Sequence, residues 1–136
     1  PKLYFNDVGL AAYLLGIQNE IQMNRDPLRG NLFENAILLE LKKHQFNHGL
    51  DSPFFYYRDM QKNEIDIIYK NANELIPIEI KSSKTYHQDF IKKLSYFHQF
   101  APERVKKSFL IYAGDLEQSI QTTQVLNFKH ATQILN

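Results

Sequence analysis

The sequence predicts an α/β protein in which a mixed central β-sheet carries helices packed against it. Three features carry that reading. Apolar residues recur at helical spacing over about residues 30–47 and again through Phe90, Leu94, Phe97 and Phe100. Short runs rich in Ile, Phe and Tyr fall between and after those stretches. Their order, α-α-β-β-β-α-β-β, fits one sheet with crossing helices better than separate helical and β units.

Taken in order, Asn6 or Asp7 is placed to cap a short helix through Leu10, Ala11, Leu14 and Leu15, with Gly16 as its stop. Residues 17–28 are polar, include Asn24 and Asp26-Pro27, and read as a connecting loop. A longer helix is expected from about Gly30 to Asn47, ended by Gly49. Phe54 to Tyr57 forms a first strand, entered through Asp51-Ser52-Pro53. Glu64 to Lys70 and Glu74 to Lys81 form two more, joined by Asn71-Ala72-Asn73. Residues 87–100 are helical, Ser108 to Tyr112 and Gln124 to Phe128 are strands, and a short helix closes the chain near 130–135. No repeat or low-complexity segment interrupts this pattern.

At 136 residues the chain is sized for one domain, 1–136, with a single core. Hydrophobic content of 43% and charged content of 23% are ordinary for a globular protein. No apolar run approaches membrane-spanning length, so no membrane partner is expected. The absence of cysteine excludes disulfides and thiolate zinc sites. Without a signal peptide the default location is cytoplasmic. The start at Pro1, already inside an ordered-looking Lys2-Leu3-Tyr4-Phe5, predicts a piece of a longer protein whose residues 1–28 are a helical lead-in. Net charge is only +1, yet residues 81–107 hold seven Lys/Arg against Asp89 and Glu103, a local excess of +5. Lys84, Lys92 and Lys93 in that stretch are candidate phosphate contacts on DNA; a solvated helix face is the alternative.

The acids of the strand pair are the main chemical signal. A turn centred between Ala72 and Asn73 pairs residues whose numbers sum to 145, which sets Asp66 across from Glu79 and Ile67 across from Ile78. Alternation then puts Asp66, Glu79 and Lys81 on one face and Ile65, Ile67, Ile78 and Ile80 on the other. Carboxylates roughly 5 Å apart repel; in a dry site they share a proton or hold a cation. The alternative is a solvated face on which they pair with Lys70, Lys81 or Arg58. Pro77, lacking an N–H, requires a non-bonded ladder position or a sheet edge. On the long helix, Glu34 falls among Ile37, Leu38 and Leu41, with Phe33 at the margin and Lys42 and Lys43 well away. A carboxylate in such a stripe costs several kcal/mol unless paired or metal-bound. Either an amide or lysine partner, or a third place in a Mg2+ or Mn2+ site, would account for it.

Glu34, Asp66 and Glu79-Ile80-Lys81 together resemble the PD-(D/E)xK nuclease superfamily. More of the chain is similar to an uncharacterised C-terminal domain found behind AAA+ type ATPase modules in bacteria and archaea. The similar segments are Lys2 to Leu10, Gly30 to Asn35, Tyr57-Arg58, Glu64-Ile65-Asp66 and Ile78 to Ser83. The resemblance implies a restriction-endonuclease-like core and an ATPase module in the same full-length chain. It implies Glu34, Asp66, Glu79 and Lys81 as catalytic residues, with Asp66, Glu79 and the Ile80 carbonyl holding Mg2+ or Mn2+. Lys81 would orient the attacking water, with DNA as the substrate. The superfamily's proline before the aspartate is replaced by Ile65. A non-catalytic module regulating the ATPase or docking a partner, and a DNA-binding module using residues 81–107, are the other expectations.

Other residues give weaker signals. Arg58 is placed to contact phosphate or, more simply, to brace Glu64. His44 and His48 are a surface pair, and the five histidines form no zinc pattern. Tyr86 and His87 lie close enough in sequence to reach phosphate, while Tyr96 and Gln99 resemble accessory residues of related nucleases. Phe54 to Tyr57 read as core and sheet, and no phosphate-cradling Gly-rich loop is present.

Overall fold

The computed structural model describes residues 4, 9, 16, 18–51 and 53–135. The short helix expected through Leu10 to Leu15 lies outside the described residues. The segment read as a loop contains a six-residue helix, α1 (Glu20–Arg25). The Asn19 side chain accepts the Gln22 N–H at 2.9 Å, capping its first turn. The sequence shows this helix only through its cap, because six mostly polar residues offer no apolar stripe to read.

Helix α2 (Arg29–Asn47) runs nearly as expected and buries Leu32, Asn35, Ile37, Leu38, Leu41 and Gln45. Gly49, at φ +67°, turns the chain away in the left-handed region that favours glycine. Strands β1 (Phe54–Arg58), β2 (Glu64–Asn71) and β3 (Glu74–Lys81) follow. A 3-10 turn over Gln88–Ile91 leads into α3 (Lys92–Phe100), so the single helix expected over 87–100 is two unlike pieces. Strands β4 (Ser108–Tyr112), β5 (Gln118–Ile120) and β6 (Thr123–Asn127) complete the sheet, and 3-10 turns over Phe128–Leu135 cap it. β5 was not expected. It is three residues long, and its return to β6 passes through Gln121 at φ +53° rather than a Gly or Asn.

The six strands lie in the order β1-β2-β3-β4-β6-β5. β1, β2 and β3 pair antiparallel, β3-β4 and β4-β6 parallel, and β5-β6 antiparallel. The sheet is therefore mixed, as expected. The β2-β3 register is the expected one, from Asn71 opposite Glu74 to Ile67 opposite Ile78. Pro77 sits in a central strand, opposite Ile68. The Leu75 N–H points away from β2, to the Arg104 carbonyl at 2.9 Å. The missing N–H of Pro77 falls on that same side, just before the β4 ladder begins at Ile78-Phe109, so no ladder bond is lost.

Two apolar layers cover the faces. On one, Ile37, Leu38 and Leu41 of α2 pack on Ile67, Tyr69, Ile76, Ile78, Ile80, Phe109, Ile111 and Leu126. On the other, Leu94 and Phe97 of α3 pack on Ile65, Ile68 and Val105. Ile65 thus lies opposite to the face expected for it, and the cause is a β-bulge. Phe55 pairs with Ile68 and Tyr57 with Ile65, so Tyr56 alone stands against Asp66 and Ile67. The extra residue resets the alternation of β2 at Asp66.

Candidate functional site

The bulge decides where the first acid goes. Beyond Ile67-Ile78 the β2-β3 ladder gives way, and side chains take over its hydrogen bonds. The Ile80 N–H donates to Asp66 Oδ2 at 2.8 Å, and the Asp66 N–H donates to Glu79 Oε1 at 3.3 Å. Asp66 and Glu79 are thus brought together, as the register requires, but each carboxylate answers the other residue's neighbourhood through the backbone. Asp66 also lines a cavity of about 170 Å³ with Tyr4, Leu38, Lys42, Phe54, Phe55, Tyr56 and Ile67. Lys42, set well away from Glu34 on the helical wheel, is a wall of that cavity.

Glu79 is buried, with 1% of its surface exposed. Burial, and then the Asp66 charge, push its carboxyl up to about 8, while Lys81 and Lys93 oppose the rise. The solvated-face alternative does not hold for Glu79. Lys81 Nζ lies 3.9 Å from Glu79 Oε2 and 5.6 Å above the centre of the Phe90 ring. Since Ile78 and Ile80 belong to the α2 layer, alternation turns Glu79 and Lys81 toward the α3 side. The expectation of Asp66, Glu79 and Lys81 on one plain strand face is corrected accordingly: the bulge rotates Asp66 toward a cavity walled partly by α2.

Glu34 is half-buried on α2, and the Tyr4 hydroxyl donates to its Oε1 at 2.6 Å. The Tyr4 phenol is pushed well above its ordinary value by burial first, then by Glu34 and more weakly by Asp66. Tyr4 therefore stands between the helix acid and the strand acid. Among the described residues no group of three His, Asp or Glu side chains stands close enough together to hold a metal ion. Asp66 meets Glu79 through the backbone, and Glu34 meets Tyr4.

The expected basic contacts scatter. Arg58 Nε is 3.5 Å from Glu64 Oε1, so the brace is observed; Tyr56 also donates to that oxygen at 3.0 Å. Lys92 pairs with Asp89 at 2.7 Å. Lys84 and Lys93 are exposed, and Lys93 acts on Glu79 through its charge. Tyr96 donates to Asp59 at 3.3 Å. His87 and Tyr86 meet Phe90, the ring under the Lys81 ammonium, edge to face at 5.3 and 6.4 Å. Gln99 is exposed, and His44 and His48 stack at 4.4 Å. Sequence reasoning missed Tyr4, Phe90 and Lys42. Tyr4 stands 30 residues before Glu34, a separation that no local spacing rule connects.

The sequence model of the family described as "Domain of unknown function (DUF4143)" matches residues 29–131. Two curated mycobacterial relatives are each 31% identical over 85 residues: Uncharacterized protein Rv2008c of Mycobacterium tuberculosis and Uncharacterized protein Mb2031c of Mycobacterium bovis. The match covers 62% of this chain and 18% of each relative. The chain thus corresponds to a minor part of those proteins. No helix of the described residues is long and apolar enough to cross a membrane.

Proposed function

Starting from the fact that this chain belongs to the family described as Domain of unknown function (DUF4143), we propose that it is a nuclease-like module that hydrolyses phosphodiesters in DNA with a divalent metal. The observation that carries the reading is the buried Glu79 carboxyl, facing Asp66 across an opened ladder with the Lys81 ammonium 3.9 Å away. A buried acid pushed up to about 8 is costly as an anion and cheap beside a cation. The donor set fits Mg2+ or Mn2+ in kind, being carboxylate and carbonyl oxygens.

In this reading Asp66, Glu79 and the Ile80 carbonyl would hold the ion, and Glu34 would add charge from α2. A divalent ion held there would supply Lewis acidity toward water and phosphate. Lys81 orients the attacking water and stabilises negative charge developing on the phosphoryl oxygens. Lys84 and Lys93 draw the backbone of DNA toward the site, and Lys92 contributes when released from Asp89. The small share of the mycobacterial relatives that the match covers fits a domain carried by a longer protein. An ATPase module in the same polypeptide is the partner we propose.

A second reading has its own support. The lack of a three-acid cluster among the described residues favours a non-catalytic nuclease-fold module that docks a partner or regulates the ATPase. Plasmid cleavage with Mg2+ or Mn2+ separates these. Cleavage abolished by both Lys81→Ala and Asp66→Ala is expected for the enzyme. Metal uptake without cleavage assigns the docking role. Salt-sensitive DNA binding that survives Asp66→Ala, with neither metal uptake nor cleavage, assigns a DNA-binding module instead.

A further inference from the structure

We infer that the cleft between the 3-10 turn over Gln88–Ile91 and the β5-β6 hairpin takes an unpaired base of single-stranded DNA. The inference rests on the DNA reading above and names the form of DNA the module engages; it needs no metal ion and none of the acids. The cleft encloses about 510 Å³, and its walls include Tyr86, Gln88, Lys92, Gln118, Ile120 and Gln121. That volume falls within the range of small-ligand sites, about 300–1,000 Å³. Among the described residues no Asp or Glu is a wall. Lys92 pairs with Asp89 at 2.7 Å in the open, where a phosphate can compete for it.

The wall chemistry selects a base. A base offers a flat π-face and an edge of mixed donors and acceptors. Tyr86 is an aromatic platform for the face. Gln88, Gln118 and Gln121 bring amides, each with both a donor and an acceptor, for the edge. Among the described residues no hydrogen bond engages those three amides. Gln121 adds an independent sign. It holds φ +53° at the tip of the hairpin, in the left-handed region that favours glycine. Turn stability alone calls for Gly or Asn, so the longer side chain is carried there at a cost, and such costs gather at binding sites. Position agrees. Tyr86 meets Phe90 edge to face at 6.4 Å, and Lys81 Nζ lies 5.6 Å above the centre of the Phe90 ring. The cleft is thus one aromatic pair away from the lysine proposed to act on phosphate. A base whose face and edge both meet side chains has left its stack and its pair, so the strand is unpaired there.

The test measures binding of a short labelled DNA strand to the full chain by fluorescence anisotropy in chelator. The comparators are the same strand made abasic, the blunt duplex, and free deoxyadenosine monophosphate as a competitor. The intact strand should bind at least about fivefold tighter than the abasic strand or the duplex. Tyr86→Leu, which keeps the apolar packing, and the Gln118→Ala/Gln121→Gly double variant should each weaken intact-strand binding by about 5- to 100-fold. Neither should change abasic binding or the salt slope, because no cation is removed; a merely structural loss would lower all of them together. No strand binding by wild type, equal affinity for intact and abasic strands, or wild-type affinity in both variants overturns the inference. A free nucleotide that competes as well as the strand itself assigns the cleft to nucleotides and overturns it too. Should Tyr86→Leu fail to fold, the glutamine double variant decides, since Gln121→Gly relieves the turn. Base-dependent binding without metal uptake or cleavage defeats only the metal-dependent reading. Metal-dependent cleavage by a protein indifferent to abasic sites defeats only this inference.

Discussion

Replacing Glu79 by Gln should make the protein more stable at pH 8 in metal-free buffer. In the fold the Glu79 carboxyl sits near 8, against an ordinary value of 4.5, because burial and Asp66 disfavour its anion. Between those values the folded chain keeps a proton that the unfolded chain has released. The stabilisation is complete below about 4.5 and is lost as pH rises through about 8, so wild-type stability declines across that window. At about 1.4 kcal/mol per pH unit the ceiling is roughly 5 kcal/mol. Taking about half of that ceiling, roughly 2–3 kcal/mol, allows for the coupling of Glu79 to its charged neighbours. Gln is neutral throughout, is nearly isosteric, and keeps an oxygen to accept the Asp66 N–H. At about 3 °C per kcal/mol for this chain length, Glu79→Gln should melt some 6–9 °C above wild type at pH 8 and close to it at pH 5. The assay is thermal denaturation by circular dichroism in chelator across pH 5–8.5. Mn2+ should restore the wild type at pH 8 and leave Glu79→Gln unmoved. Parallel stability curves for the two proteins across that range would refute the reasoning.

Further outcomes follow from other residues. A Cβ added at Gly114 would collide with the Lys84 carbonyl oxygen and the Tyr112 ring. Gly114→Ala should therefore cost about 1–3 kcal/mol, and an unchanged melting temperature would show that the loop after Lys81 yields freely. Joint replacement of Lys84, Lys92 and Lys93 by Ala should lower the log–log salt slope of duplex binding by about two to three. A slope that stays the same places the phosphate contacts elsewhere. Asp66→Asn should lose metal-dependent cleavage at little cost in stability, since an amide oxygen can still accept the Ile80 N–H; retained cleavage would remove Asp66 from the proposed chemistry.

Local sequence carried the fold far. The β2-β3 register was legible because Asn71-Ala72-Asn73 fixes the turn and Ile67, Ile76 and Ile78 demand a common buried face. The extent of α2 was legible because its apolar stripe and Gly49 both mark it. α1 and β5 were not, being too short to show a period and held by one cap or one edge pairing. The pairing of Asp66 with Glu79 came from arithmetic along the hairpin, and the burial of Glu79 from its aliphatic neighbours.

The sequence by itself determined the mixed sheet, its helical covering and which acids meet across the hairpin, since those follow from periodicity, turn chemistry and register. Only the tertiary structure decided the aim of Asp66 and the partner of Glu34. A bulge arises where β1 and β2 must match lengths while both faces of the sheet stay packed, and no single strand encodes that compromise. The Tyr4-Glu34 bond likewise joins residues 30 apart, brought together by the packing of Tyr4 against the core layer that α2 shares.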